Sequence, residues 1–403
     1  MRLEKFLQCN FDKSHKPINF TNNYYFRVPF LMATTRSVAI IGGGIGGLTV
    51  VNGLMHAGLS VSLNERSPFF IPTAGAGFGL QPNGQAVLAH IGFKEKVQQI
   101  THPYLVRQII NDNGDVIASS NRIADYGKRF GFFLGGILRA ELVDILKEPI
   151  EQAGNLHNNH NVANIKQDAD GVMISLENNQ QKKSVRVDML IGADGIHSTV
   201  VNQIFPQSPP PIYTKENIFY GVIDNIDQQT SINPTVTAKN TLTHYSQLKR
   251  FPKSHPVHEC AAATDKKRLL HFGLYYRQHR RDGWHRGRIC LLGDSCHATL
   301  PYVGQGANMA IEDAVSLATC LEKHHFLIEP ASQEYYKQRY DRTRRVVNSA
   351  RYLGLLLHSQ NPVISFIAKR LGPVIIQSNV LMTMIENEFY NKCPISMKPL
   401  KEE

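Results

Sequence analysis

The stretch SVAIIGGGIGGLTVVNGLMHAGLSVSLNE, residues 37–65, constrains the fold of this 403-residue chain more than any other. It runs from an apolar strand through a glycine-rich turn into a helix and a second strand, the βαβ order of a parallel sheet. Gly42, Gly44 and Gly47 form the pattern G-x-G-x-x-G directly after the first strand. The first glycine permits a tight turn, the second lets the backbone approach a pyrophosphate, and the third lets the helix pack closely on the sheet. The stretch predicts a Rossmann-like α/β domain that binds a dinucleotide.

An acidic residue at the end of the second strand narrows the choice of dinucleotide. Glu65 follows Gly47 by 18 residues, where a carboxylate can accept hydrogen bonds from a ribose diol. An acid at this position favours an unphosphorylated ribose, as in FAD or NAD. The alternative, a glycine-rich turn in a purely structural βαβ unit, leaves Glu65 unexplained.

A second constrained stretch is GDSCHATLPYVGQGANMAIEDA, residues 293–314. The apolar run GRICLLGD that leads into it predicts a buried strand ending in an acidic turn. Apolar residues then recur at helical spacing from about Gly306 onward, at Met309, Ala310, Ala314 and Leu317. A helix N-terminus beside a glycine-rich loop concentrates backbone N–H groups and positive dipole, which predicts a site for an electron-rich group.

Two more stretches supply candidate residues. VRVDMLIGADGIHSTV, residues 185–200, predicts an apolar strand ending at Gly192, with Asp194 and Gly195 in the turn after it. ILRAELVDIL places Arg139 at the start of an amphipathic helix. An isolated arginine at a helix start is usually a surface residue, so Arg139 becomes a candidate only together with the other motifs.

Three motifs in this order resemble those of the single-component aromatic hydroxylases. They are the G-x-G-x-x-G stretch with Glu65, the stretch GADGIHS and the stretch that begins at Gly293. This flavin monooxygenase family includes para-hydroxybenzoate hydroxylase and the salicylate hydroxylases, and the resemblance covers about residues 37–355. It implies an α/β fold with a Rossmann-like FAD-binding domain, an interleaved and mostly antiparallel substrate sheet, and C-terminal helices.

The resemblance also implies domain boundaries. Residues 1–31 are expected to be a flexible N-terminal extension without a signal peptide, or to precede a native start at Met32. Residues 32–330 are expected to hold the FAD-binding domain, as segments of about 37–110, 135–204 and 286–330, with the substrate sheet in part of 68–134 and in 205–285. Residues 331–403 are expected to form the C-terminal helices. The segment QEYYKQRYDRTRRVVNSARYLGLLL is expected to be a basic helix that packs across the FAD domain, with a solvated face for its arginines.

Carried over onto this chain, the resemblance implies a role for each motif residue. Glu65 should bind the adenosine ribose of FAD, Arg139 should reach the flavin or its pyrophosphate, and Asp294 should contact the ribityl chain. The turn of Asp194 and Gly195 should serve both FAD and the reductant. Pro301 should lie near the flavin face, and the flavin pyrimidine edge should lie against the backbone of Gly304, Gln305, Gly306 and Ala307. The helix N-terminus would then stabilise negative charge on the reduced flavin.

The implied reaction consumes NADH or NADPH and O2. The reductant would reduce FAD, O2 would add to give a flavin C4a-hydroperoxide, and one oxygen atom would enter a small phenolic, aromatic-acid or polycyclic substrate. His297 is the candidate general base, with a structural role in the turn as its alternative. Tyr302 is a second candidate for the substrate pocket. The sequence predicts no metal site.

Two departures from the family pattern leave alternatives open. Val201 stands where the family usually has an arginine, and the stretch from Asp194 to Asp294 is short for a substrate sheet, although NIFYGVIDNI and RLLHFGLYY predict strands within it. The alternatives are an epoxidase or antibiotic-modifying oxygenase of the same fold, or a degenerate protein that binds FAD without turnover.

The composition restricts which partners and which cellular compartment the sequence predicts. Six cysteines without a C-x-x-C or zinc spacing indicate reduced thiols and a cytoplasmic protein. The expected oligomeric state is a monomer or a homodimer. The net charge of +11 is partly concentrated between Lys249 and Arg288. This basic stretch is expected to form a solvated face, with attraction of a small anion as the alternative. No docking motif for nucleic acid accompanies the charge, so no nucleic-acid partner is expected. No apolar run is long enough to span a bilayer, and the tail NPVISFIAKRLGPVIIQSNVLMTMI is expected to pack on the core, with contact to a membrane surface as the alternative.

Overall fold

The computed structural model of this chain describes residues 36–70, 77–110, 113–178, 181–220, 258, 262, 264, 269–358, 361–395 and 397. The expected N-terminal extension, residues 1–31, lies outside the described residues, as does most of the stretch 221–268. The expected domain boundaries therefore stay predictions.

The strands are β1 (Ser37–Ile41), β2 (Ser60–Asn64), β3 (Gly77–Leu80), β4 (His102–Pro103), β5 (Arg107–Ile110), β6 (Val116–Ser120), β7 (Gly135–Leu138), β8 (Leu156–His157), β9 (Asn161–Gln167), β10 (Val172–Asn178), β11 (Gln181–Val187), β12 (Met189–Gly192), β13 (Ile212–Tyr220), β14 (Leu270–Tyr276), β15 (His285–Arg286) and β16 (Ile289–Leu291). The helices are α1 (Ile45–His56), α2 (Pro82–His90), α3 (Lys94–Ile100), α4 (Tyr126–Phe130), α5 (Arg139–Gln152), α6 (Thr199–Ile204), α7 (Asp294–His297), α8 (Gly306–Lys323), α9 (Ile328–His358), α10 (Pro362–Gln377) and α11 (Asn379–Tyr390). Short 3-10 helices cover Arg122–Asp125 and Pro301–Val303.

The main sheet has the strand order β15-β16-β12-β1-β2-β8 among the described residues. Its strands β16, β12, β1, β2 and β8 run parallel, and β15 is an antiparallel edge. Ile41 lies opposite both Gly192 and Asn64, and Gly192 lies opposite Leu291. The carboxyl ends of four parallel strands therefore meet at one edge, where open α/β sheets bind their ligands. The predicted α/β fold is confirmed.

Apolar strands and helix faces supply the core around this sheet. Residues 45–54 of α1 are all buried, and α1 packs against α5 and α8. Helix α5 buries Leu142, Val143, Leu146 and Ile150, the face that its amphipathic pattern predicts. Because these helices converge on the carboxyl edge of the sheet, their N-termini are held rigidly beside it.

Two glycines of the first turn are required by close backbone contacts. A Cβ at Gly47 would lie 2.0 Å from the carbonyl oxygen of Gly42, so a larger residue would push α1 off the sheet. Gly42 has φ +108°, and a Cβ there would lie 2.4 Å from the carbonyl oxygen of Ala193. These close contacts are what the predicted turn and helix-packing roles of the two glycines require, and their part in binding a dinucleotide stays a prediction.

The smaller sheets of the described residues are antiparallel: β3-β7-β4, β5-β6, β9-β10-β11 and β13-β14. The predicted strand RLLHFGLYY corresponds to β14, and the start of NIFYGVIDNI corresponds to the end of β13. The remainder of NIFYGVIDNI, from residue 221, lies outside the described residues.

The C-terminal helices begin slightly before the predicted residue 331, because α9 starts at Ile328. The expectation that the arginines of this helix form a solvated face is wrong for two of them. Arg339 and Arg342 are 2% and 3% exposed, and they form ion pairs with Asp313 and Glu312 of α8. In the part of the chain that the structure describes, no helix is long and apolar enough to cross a membrane.

Candidate functional site

The carboxylate of Glu65 is held at the carboxyl edge of the sheet by backbone N–H groups. The N–H of Gly43 donates to Oε2 over 2.6 Å, and the N–H of Ser67 donates to Oε1 over 2.8 Å. Each carboxylate oxygen has a second lone pair, so both can still accept a hydrogen bond from a ligand. The side chain is therefore oriented before any ligand binds.

A cavity of about 150 Å³ opens beside this carboxylate. Its lining includes Gly43, Gly44, Glu65, Phe70 and Arg139, so it brings three of the predicted site residues together. A Cβ built on Gly44 would meet no atom within 4 Å, which leaves open space at the start of α1. No side chain caps this helix and its first turn has no acidic residue, so its N–H groups and positive dipole face the cavity.

Arg139, the first residue of α5, lies between the two acidic motif residues. Burial lowers its pKa, and the nearby carboxylates of Asp294 and Glu65 partly offset that effect. The guanidinium therefore stays charged and contributes positive potential to the same edge of the sheet.

The Asp194 carboxylate is used within its own turn, which the sequence motif did not predict. It accepts hydrogen bonds from the hydroxyl of Ser198 (2.5 Å) and from the N–H groups of Thr199 (2.7 Å) and Val200 (3.1 Å). Burial raises the pKa of Asp194, and these hydrogen bonds partly offset the rise. The carboxylate thus caps the start of α6 and shapes the turn that follows β12.

Arg277 is a buried cation of this region that the sequence reasoning missed. It is 2% exposed, and its guanidinium donates to the carbonyl oxygens of Ile196 (2.5 Å) and Pro209 (3.1 Å). Gly195 precedes Ile196 with φ +80°, a conformation that favours glycine. Val201 is 1% exposed within the core, where an arginine would be buried among apolar side chains. Arg277 therefore supplies positive charge to this turn from the end of β14.

Asp294 differs from the rest of its short helix. Ser295, Cys296 and His297 are buried, whereas Asp294 is exposed. Desolvation by the surrounding protein nevertheless raises the pKa of its carboxyl, and the charges of His297 and Arg139 partly offset that rise. A solvent-accessible carboxylate with these neighbours lies in a recess of the protein surface rather than on an open face.

The imidazole of His297 points into the protein. It is 1% exposed, and its Nε2 lies 2.5 Å from Oδ2 of Asp313. Asp313 also accepts hydrogen bonds from the Gly293 N–H (3.2 Å) and from Nε of Arg339 (2.7 Å). This geometry favours the structural alternative for His297, because a buried ring whose Nε2 is engaged by Asp313 has no route to a proton on a substrate.

The loop before α8 leaves the backbone of Gly304 and Gly306 partly exposed and buries the side chain of Gln305. Gly304 has φ +62°, and α8 begins at Gly306, as predicted, with no side-chain cap and no acidic residue in its first turn. The Gln305 amide donates to Oε1 of Gln81 (2.7 Å) and accepts from Nδ2 of Asn83 (3.0 Å). Nε2 of Gln81 in turn donates to the carbonyl oxygens of Val303 and Gly304, at 3.0 and 2.8 Å. These inward amides orient the loop, so its N–H groups are presented at the start of α8.

Tyr302 connects this loop to two other elements. Its hydroxyl donates to Oε2 of Glu216 on β13 over 2.6 Å, and its ring packs so closely on α9 that a Cβ at Gly354 would lie 2.4 Å from it. Pro301 and Ala307 on either side of the loop are partly exposed. The loop is thereby tied to β13, one strand of the pair expected to carry the substrate.

Comparison with known proteins agrees with this geometry. The sequence profile of the FAD binding domain family matches residues 35–214 and 248–350. The FAD-dependent monooxygenase paxM of Penicillium paxilli is 27% identical over 375 residues, which cover 78% of this chain and 78% of that protein. The aurachin C monooxygenase/isomerase of Stigmatella aurantiaca is 27% identical over 369 residues, which cover 84% and 94% of the two chains.

Solved structures share the fold. HpxO of Klebsiella pneumoniae, in complex with FAD and uric acid, matches with a TM-score of 0.74 at 22% identity, over 93% of this chain and all of the other. The p-nitrophenol 4-monooxygenase PnpA from Pseudomonas putida DLL-E4 matches with a TM-score of 0.71 at 20% identity, over 90% and 99% of the two chains.

Proposed function

This chain belongs to the FAD binding domain family and is an FAD-dependent monooxygenase of the aromatic hydroxylase type, and we propose that it uses NADH or NADPH to insert one oxygen atom of O2 into a small aromatic or polycyclic substrate. The observation that carries the proposal is the set of predicted FAD-binding residues at the carboxyl edge of the sheet. There the oriented carboxylate of Glu65 and the uncapped start of α1 share one cavity. The turn of Asp294 follows β16, which is two strands from β1 in the same sheet.

The adenosine half of FAD fits the cavity beside β1 and β2. The free lone pairs of Glu65 suit the two hydroxyls of a ribose, and the open space at Gly44 suits a pyrophosphate at the start of α1. Arg139 adds a cation on the same side. We assign ribose binding to Glu65 and pyrophosphate binding to the turn of Gly42, Gly44 and Gly47 with Arg139.

We place the flavin half of FAD in the recess that holds Asp294. Asp294 offers an exposed carboxylate for the ribityl hydroxyls, and the uncapped N–H groups at the start of α8 suit the electron-rich pyrimidine edge. When bound, FAD supplies the redox chemistry that accepts a hydride from the nicotinamide and activates O2. The chain's part is to hold the ring with Gly304, Gln305, Gly306 and Ala307, to place Pro301 at its face, and to exclude water.

We assign the reductant side to the turn after β12. Asp194 and Gly195 shape that turn, and Arg277 supplies the positive charge that Val201 does not. The Arg277 guanidinium is buried behind this turn, so it contributes positive potential that attracts the anionic phosphates of NADH or NADPH without contacting them. The basic run that ends at Arg288 adds long-range attraction for the same anion.

We place the substrate between the loop of Tyr302 and the pair β13-β14. Among the structural neighbours, HpxO is solved with uric acid and PnpA is a p-nitrophenol 4-monooxygenase. Both compounds are small ring systems that carry electron-donating oxygen or nitrogen. We assign a positioning role to Tyr302, because its hydroxyl is bonded to Glu216, and a structural role to His297. Proton removal from a phenol is therefore left to the solvent or to the bound cofactor in this proposal.

The test is NADH and NADPH oxidation by the FAD-loaded protein with a panel of phenols, aromatic acids and nitrogen heteroaromatics, with peroxide measured in parallel. Oxidation that a panel compound stimulates, with little peroxide, supports the proposal and begins to define the substrate. Bound FAD that no reductant and no compound can turn over would instead support a protein that binds FAD without catalysis.

A further inference from the structure

Helix α10 exposes an unusual number of large apolar side chains. Those with at least two fifths of their surface exposed are Val363, Ile364, Phe366, Ile367, Leu371 and Val374. At 100° per residue they fall on one arc of roughly 160°, on the side of the helix that faces away from the protein. A contiguous apolar stripe of this kind on a surface helix marks an interaction site.

The stripe continues onto the neighbouring helices. Leu355 near the end of α9 is 58% exposed, and Val380 and Met384 of α11 are 70% and 64% exposed. Both α9 and α11 pack against α10, so these side chains extend the apolar area rather than form a separate one. We call the exposed side chains of α10, with Leu355, Val380 and Met384, the apolar C-terminal surface.

The segment that carries this surface is basic. Between Asp341 and Glu386 the sequence holds six lysines and arginines and no acidic residue. Some of these arginines are paired with acids outside the segment, as Arg342 is with Glu312 and Arg345 is with Glu388. Arg351 is exposed near the end of α9, where its guanidinium lies 5.5 Å from the centroid of the Tyr276 ring. The Arg370 guanidinium lies 5.4 Å from the centroid of the Phe366 ring. Cations therefore border and enter the apolar stripe.

The occupant must accept apolar side chains and also carry negative charge. An anionic lipid surface meets both requirements, because apolar side chains enter the acyl boundary while arginines contact the headgroup phosphates. A second copy of the chain meets only the first, since a two-fold dimer through this face would bring two acid-free segments together and set cation against cation.

We propose that the apolar C-terminal surface docks the protein on an anionic lipid bilayer, with α10 lying in the plane of the interface. Helix α10 has 16 residues, about 24 Å of helix, which is shorter than the roughly 30 Å hydrocarbon core of a bilayer. Docking in the interface rather than spanning is therefore the arrangement that the helix length allows. The proposal does not depend on which substrate the monooxygenase takes.

The test is co-sedimentation of the FAD-loaded full-length protein with phosphatidylcholine vesicles that contain or lack phosphatidylserine. The protein should pellet with the anionic vesicles, weakly or not at all with the neutral ones, and less as salt rises. Phe366→Ser with Val374→Ser should weaken binding by at least roughly tenfold through lost apolar contact. Arg351→Gln with Arg370→Gln should weaken binding to the anionic vesicles by roughly thirtyfold.

Leu327→Ser is the matched control. Leu327 is 61% exposed just before the start of α9, about 42 Å of helix from Leu355 of the apolar C-terminal surface, so its loss should leave vesicle binding unchanged. The flavin absorbance and thermal midpoint of each variant report whether it has folded. The proposal is overturned if the parent protein does not bind anionic vesicles, or if both double variants bind as the parent does. It is equally overturned if light scattering shows a dimer that Phe366→Ser with Val374→Ser dissociates while vesicle binding is unaffected.

Discussion

The backbone N–H of Gly43 donates a 2.6 Å hydrogen bond to Oε2 of Glu65, a residue 22 positions further along the chain. The bond joins the turn after β1 to the end of β2 and leaves each carboxylate oxygen with a lone pair that faces the cavity. A negatively charged acceptor oriented in this way is what a ribose diol requires.

Glu65→Gln should weaken FAD binding by about tenfold, or roughly 1.4 kcal/mol. The amide keeps the shape of the side chain but replaces charge-assisted acceptance with weaker neutral hydrogen bonds. Fluorescence titration of the apoprotein with FAD measures the change. Glu148→Gln removes an exposed carboxylate that pairs with Lys96, and it should leave the affinity as it is. Equal affinity for the parent and Glu65→Gln would contradict the assignment of Glu65.

Gly44→Ala should impair FAD binding, whereas Gly47→Ala should impair the stability of the protein itself. A methyl group at Gly44 meets no protein atom within 4 Å, so Gly44→Ala should keep the thermal midpoint of the apoprotein and lose FAD affinity. A methyl group at Gly47 would lie 2.0 Å from the Gly42 carbonyl oxygen, so Gly47→Ala should lower the midpoint of the apoprotein itself. Thermal unfolding with and without FAD separates the two. A Gly44→Ala protein that binds FAD normally would show that no pyrophosphate approaches this turn.

Acid should destabilise the protein through His279. Burial, together with the charges of His297 and Arg344, lowers the pKa of His279 from 6.5 to about 3. The unfolded chain therefore binds a proton at His279 between about pH 6.5 and 3 and the folded protein does not, so the free energy of unfolding falls as the pH drops through that range. The slope is roughly 1.4 kcal/mol per pH unit.

His279→Phe keeps a ring in the cluster and removes the titrating group, so it should flatten this slope in urea unfolding between neutral and mildly acidic pH. Tyr340→Phe alters a neighbour whose ring centroid lies 5.8 Å from that of His279, and it should keep the slope of the parent. Parallel slopes for the parent and His279→Phe would mean that His279 is protonated in the folded state.

Arg342→Ala should cost about 3 kcal/mol of stability. Arg342 donates to both oxygens of buried Glu312 and to the carbonyl oxygen of Glu388. Its loss leaves the buried carboxylates of Glu312 and Asp313 to share Arg339, and it removes a donor from the Glu388 carbonyl. Arg344→Ala on the same helix removes an exposed pair with Asp341 and should change stability by less than about 0.5 kcal/mol. Chemical denaturation gives both values, and a small loss at Arg342 would contradict the burial of its ion pair.

Local patterns predict those parts of the site that depend on residues near one another in the chain. The turn of Gly42, the start of α8 at Gly306 and the place of Arg139 at the start of α5 follow from apolar periodicity and from glycine, and the structure has all three. Each depends on a strand or helix boundary that a few consecutive residues determine.

Contacts between distant segments could not be predicted in the same way. Gln81 and Asn83 hold the loop before α8 from more than 220 positions away, and a single sequence carries no signal that pairs buried amides. Arg339 and Arg342 were expected in solvent because charged residues usually are, and only the packing of α9 on α8 shows that two acids receive them. Arg277 was hidden within a basic run whose other members include exposed residues.

The most direct test of the central claim is the source of the oxygen atom in the product. A compound that stimulates NADH or NADPH oxidation is incubated with the FAD-loaded protein under ¹⁸O2, and the product is analysed by mass spectrometry. Monooxygenation predicts one ¹⁸O atom per product molecule, with no label when ¹⁸O is supplied as water instead. A product labelled from water, or reductant oxidation that yields only peroxide with every compound, would contradict monooxygenation at this site.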